Sequence, residues 1–118
     1  MAKVVVDMAF CDKTHKITVN LRDDGDLDVH IATDCDNIRE YAEKLGNRLT
    51  VMDVTNWKGS RVYNEEICTS ASATCLVPAG IMNASWLELG MLSKSRALEV
   101  QANCVRFVRK GEDKLIGE

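Results

Sequence analysis

The sequence predicts an α+β domain: a small, mainly antiparallel sheet with two or three helices packed on one face. Three observations lead there. Apolar and polar residues alternate on both sides of an Asp/Gly-rich turn at residues 23–26. Residues 36–45 repeat apolar side chains at helical spacing, and Pro78 opens a second helical run. The chain of 118 residues is 46% hydrophobic and 28% charged, which suits one core without staples. The predicted organisation is a single domain over residues 1–110 with a flexible tail over 111–118.

The first strand is read over residues 3–10, where Val4-Val5-Val6 implies burial on both faces. His15, Ile17, Val19 and Leu21 have the period of a half-buried strand. Asp23-Asp24-Gly25-Asp26 supplies hairpin chemistry, and Leu27, Val29 and Ile31 continue the alternation on the return. A three-strand meander follows. In the first helix, residues 36–45, Ile38, Tyr41, Ala42 and Leu45 form one buried stripe. Thr33 and Asp36 match a capping box, and Gly46 stops the helix.

Residues 47–60 are less regular; Val51, Val54 and Trp57 fit a turn or a short strand, and residues 63–69 fit a helical segment. From Pro78, a favoured first helical residue, Ile81, Met82, Ser85, Trp86 and Leu89 share a face until Gly90. Leu98, Val100, Ala102 and Cys104 alternate as a C-terminal strand, which makes Cys104 a core thiol.

The net charge of −3 argues against nucleic acid as partner. Arg106, Arg109 and Lys110 form a basic cluster that reads as a solvated strand end. No stretch approaches the roughly 20 apolar residues of a membrane helix, and no signal peptide is visible, so the expected location is cytoplasmic. There, five cysteines point to metal or redox chemistry rather than disulfides.

Cys11, Cys35, Cys68 and Cys75 are the candidate ligands. Thiolates must lose a proton to bind metal, and helix N-termini favour the resulting charge. With Thr33 as N-cap, Cys35 falls in the first helical turn; Cys75 stands just upstream of the Pro78 helix. Cys11 and Cys68 occupy loop-like positions that could fold towards them. The spacings match no common zinc ribbon or ferredoxin run, and small buried thiols are the competing reading.

Other residues carry less. His15 and His30 read as surface or edge residues, with His15 a reserve ligand because of its closeness to Cys11. Asp23, Asp24, Asp26 and Asp28 lack the closing Glu of a calcium loop and read as a solvated turn. Met82 and Trp86 read as core. No phosphate loop or acid–base constellation is visible, so an enzyme is not the preferred reading.

Val4 to Cys11, then Thr33-Asp34-Cys35-Asp36-Asn37-Ile38, then Cys68, Cys75-Leu76-Val77-Pro78-Ala79-Gly80-Ile81 and Leu89-Gly90 form a linked pattern. In these segments the chain resembles a domain family of unknown function, small cysteine-rich proteins from methanogens and other anaerobes. The resemblance implies that the four cysteines act together in an anaerobic host; it implies no reaction. The resulting expectation is a metal-binding protein with an iron–sulfur cluster, of the four-iron type, on Cys11, Cys35, Cys68 and Cys75. It would serve as an electron or cluster carrier or an accessory protein, with a protein partner and a homodimer left open. The alternatives are a structural zinc module for protein interaction, or a thiol redox enzyme or sensor using Cys35 with Cys75 or Cys68.

Overall fold

The computed structural model describes residues 1–112. β1 (Ala2–Met8), β2 (Lys13–Leu21) and β3 (Leu27–Thr33) form the expected antiparallel meander. Gly25, at φ 93°, makes the β2–β3 turn, closed by Arg22 N–H on Asp26 O at 2.8 Å. α1 (Asp36–Leu45) buries Ile38, Tyr41 and Leu45 and ends at Gly46, where φ is 82°. A short β4 (Arg48–Leu49) pairs with β3 and completes a sheet of order β1-β2-β3-β4. α2 (Val51–Thr55), α3 (Val77–Glu88) and α4 (Lys94–Val100) follow, with a 3₁₀ turn at Cys68–Ser70.

The α+β antiparallel class is as the sequence predicts, but its fourth strand is not the C-terminal one. Residues 94–100 are helical, capped by Ser93 Oγ on the Arg96 N–H at 3.2 Å, and residues 101–109 form no strand. The apolar alternation there lost to a serine cap and to Ala97, Leu98 and Glu99, all compatible with a helix. Cys104 is consequently exposed rather than core. The basic cluster is solvated, as read, and Arg106 and Arg109 pair with Glu112. Of the tail, residues 113–118 lie outside the described residues.

One face of the sheet carries the core. The register aligns Ala2, Val4, Val6 and Met8 with Val19, Ile17, His15 and Lys13, and these with Val29, Ile31 and Thr33 on β3. α3 crosses β1 and β2 on this face, and α1 lies against β3. The other face is open: Val5 is 63% exposed, so Val4-Val5-Val6 is not buried on both sides. α3 sits so close that Gly80 faces Val6 and Ile17 directly; a Cβ there would fall 2.9 Å from Ile17 Cδ1.

α2 is a helix in the stretch expected to be a turn or strand. Its signature, Thr50-x-x-Asp53, is a capping box with both reciprocal bonds made. The buried Asp53 carboxylate also accepts from the Arg61 N–H and guanidinium at 3.0–3.2 Å. Burial pushes this carboxyl up, but the bonds from Thr50 and Arg61 outweigh it and hold it below the usual range. This clamp pins the loop that leads to Val62.

Candidate thiol centre

The direction of α3 decides where Cys75 lies. At its C-terminal end Glu88 accepts the Leu21 N–H at 2.8 Å, and mid-helix Gly80 rests on Val6 and Ile17. Its N-terminal end therefore points to the other end of the sheet, where β1 turns into β2 and β3 leads into α1. Cys75, upstream of α3, Cys11, in the β1–β2 turn, and Cys35, between β3 and α1, share that end.

The local structure explains each placement. The Cys11 N–H closes a turn on Met8 O at 3.1 Å, and Asp12 takes a positive φ of 55°, leaving Cys11 exposed. Cys35 itself is the N-cap of α1, one position before the helix rather than inside its first turn; Thr33 is not the cap. Thr33 Oγ1 instead accepts the Cys35 N–H at 3.0 Å. Cys35, Cys68 and Cys75 are half-buried and pack against the core.

Electrostatics record the gathering of three thiols. Burial pushes the Cys75 thiol up, the Val77 amide pulls it down, and the neighbouring Cys11 and Cys35 push it up again. Cys68 stands to one side. Its thiol donates to Val62 O at 3.4 Å, an oxygen that also accepts Tyr41 OH at 2.8 Å. Burial alone raises Cys68. Tyr41 is buried beside Cys68: burial raises its hydroxyl first, then Cys68, Tyr63 and Cys75 add to the push. The fold thus places Cys11, Cys35 and Cys75 at one end of the sheet, and Cys68 beside Tyr41 on a shared Val62 carbonyl. Among the described residues, no three His, Cys, Asp or Glu side chains stand close enough to share one metal ion.

His15 corrects its surface reading. It is buried, opposite Val6 and Thr33, and its Nδ1 lies 2.7 Å from Thr33 Oγ1. Burial lowers its pKa, with Asp34 raising and Lys13 lowering it, so the imidazole is neutral at neutral pH. Thr33 therefore links a buried histidine to the backbone of Cys35. The phase of His15 with Ile17 and Val19 was the available signal for this burial. His30 is exposed, as expected. Asp24, Asp26 and Asp28 pair with Arg22 and Arg48, in keeping with a surface turn.

Residues 2–100 match a family of unknown function, DUF6951. The chain belongs to that family. Compared with curated proteins and with solved structures, the chain matches none. The family assignment agrees with the expectation of a domain family of unknown function; it names no host and carries no activity. Among the described residues, no helix is long and apolar enough to cross a membrane.

Proposed function

We propose that the chain is a small cytoplasmic metal protein of anaerobic metabolism, with an iron–sulfur cluster held at the thiol end of the sheet. Cys11, Cys35 and Cys75 would be ligands, with Cys68 supplying the fourth thiolate. The observation that carries this reading is that Cys11, Cys35 and Cys75, far apart in sequence, share one end of the sheet, near enough for Cys11 and Cys35 to push the Cys75 thiol up. Zinc remains the alternative, and the two readings ask for different ligand spacings. One tetrahedral ion draws its ligands to a single centre, whereas bridging sulfides space the irons of a cluster and hold their thiolates apart.

When bound, such a cluster supplies one-electron transfer. The exposed Cys11 turn would bring one side of the site to the surface, where a protein partner could exchange electrons or the cluster itself. Burial keeps Cys68 and Cys75 largely as thiols near neutral pH, so metal loading has to displace their protons. That same protonation slows the resolving step of the thiol redox reading, in which Cys75 or Cys68 follows Cys35 as the second thiolate.

The test is anaerobic reconstitution with iron and sulfide, followed by metal analysis and a visible spectrum. The expected product is brown, with about four irons per chain. Cys75→Ser is expected to lose most of the iron, and Cys104→Ser to keep it. Colourless protein with a single tightly held zinc would overturn the cluster in favour of the zinc reading. Iron binding indifferent to Cys75→Ser would overturn the site itself.

A further inference from the structure

After α4 the chain leaves the domain as an extended arm. Residues 101–110 are all exposed, including Val105 and Phe107 at 70% and 74%. Among the described residues, the backbone groups of 103–108 make no hydrogen bond with any other backbone group. Apolar and polar residues mix along it in a pattern suited to a strand, Ala102-Asn103-Cys104-Val105-Arg106-Phe107-Val108. The arm is held at Phe107, whose ring lies 5.9 Å from Phe10, just past the end of β1. The family match ends at residue 100, so the arm lies outside the shared domain.

The same chain carries the complementary surface. β1 is the outermost strand of the sheet and pairs with β2 alone. It is 7 residues long, rich in valine, and Val5 stands open on its solvent face. An open edge of this kind is a template for a further strand. Residues 102–108 have the same length, yet in one chain they reach Phe10 without forming a ladder.

We propose that residues 102–108 of one chain add as a strand to the β1 edge of a second copy, giving an arm-exchanged homodimer. Both halves of the pairing lie in one sequence, so a two-fold arrangement satisfies two arms and two edges at once. The Phe10–Phe107 contact made within one chain is then available between chains. Gln101, the C-cap of α4, sits at φ 69°, a left-handed conformation that a non-glycine residue adopts only at a cost. Release of the arm relieves that cost, which makes residue 101 the natural hinge. This inference stands apart from the cluster reading, since it needs no cysteine.

The test is the solution mass of the full chain by light scattering, under reducing agent so that exposed Cys11 and Cys104 cannot cross-link. The expected mass is about twice the 13.1 kDa of one chain. Val105→Pro removes an N–H and a position of the proposed ladder while touching no helix or strand of the single chain, so it is expected to halve the mass and leave the helical part of the far-ultraviolet spectrum unchanged. Hydrogen exchange at β1 is expected to quicken in the same variant. Phe107→Asp serves as a second variant with the same expected outcome, should the proline disturb folding. A monomeric wild-type chain overturns the proposal, and so does a dimer that survives both substitutions. A monomer whose arm protects β1 would assign the extra strand to the chain's own sheet and overturn it equally.

Discussion

The two ends of α3 are built on opposite plans. At its C-terminal end the ionic groups are paired: Glu88 takes the Leu21 N–H and, at 3.0 Å, the Met1 ammonium. Around the nearby β2–β3 turn, Arg22 bridges Asp24 and Asp28, and Arg48 bridges Asp24 and Asp26. At the N-terminal end stand thiols and a neutral imidazole. Cys35 caps α1 without a side-chain hydrogen bond, and Cys11 lies open to solvent. Bonding capacity that is used up holds a fold together. Capacity left over is what a ligand can occupy.

The largest expected effect lies between the two ends. Gly80 is where α3 touches the sheet, against Val6 and Ile17. Gly80→Val puts a branched side chain into space those two residues fill, and the helix has to lift. Overpacking of this kind costs about 3 kcal/mol, which lowers the melting temperature by roughly 10 °C. Because one rigid helix connects both ends, lifting it is expected to loosen Glu88 and to disperse the thiols together. A variant that melts with the wild type would mean that the ends do not depend on this seam.

How far the sequence discloses each end follows from the range of the interactions that build it. The meander, α1 and α3 were legible because each is specified within a dozen residues: alternation for the strands, i, i+3, i+4 spacing for the first helix, Pro78 for the start of the second. The C-terminal strand is absent because Leu98 and Val100 belong to the helix that Ser93 caps, while Ala102 and Cys104 lie past its end with no neighbouring strand to pair with. α2 was missed although Thr50 and Asp53 spell its cap, since five residues offer no periodicity to weigh. At the thiol end, the approach of Cys11, Cys35 and Cys75 depends on which way α3 runs across the sheet. That is set by the Gly80 crossing and by Glu88, neither of which has a local signature. The place of Cys68 beside Tyr41 depends on the Val62 carbonyl that both side chains address, a contact no spacing rule could supply.

A middle-sized effect is expected at the charged end. Burial pushes the Glu88 carboxyl up, but the Leu21 N–H and the Met1 ammonium outweigh it and hold it below the usual range. A carboxyl lowered on folding contributes stability that is complete above its unfolded value, about 4.3, and is lost as pH falls through the lower folded value. Glu88→Gln is therefore expected to cost about 1 kcal/mol at neutral pH. The gap between variant and wild type should narrow as pH falls below the unfolded value and close only below the lower folded one, where both side chains are neutral. Urea midpoints measured across that range check it. A gap that stayed constant in acid would show that Glu88 acts through packing rather than charge.

The smallest effect on stability is expected at the thiol end, and it is the most telling. Cys11 is exposed, on a turn whose hydrogen bonds are all made by backbone groups. Cys11→Ser should change stability by no more than about 0.5 kcal/mol, while lowering the iron bound after anaerobic reconstitution. The two readouts together separate a ligand from a structural thiol. If Cys11→Ser destabilises the chain as much as Glu88→Gln, the two ends share one plan and the contrast between them fails. If it alters neither stability nor iron, Cys11 is a bystander, and the site contracts to the half-buried Cys35, Cys68 and Cys75. A loss of iron at unchanged stability is what spare bonding capacity predicts, because the turn folds on its own backbone and its sulfur is left for a guest.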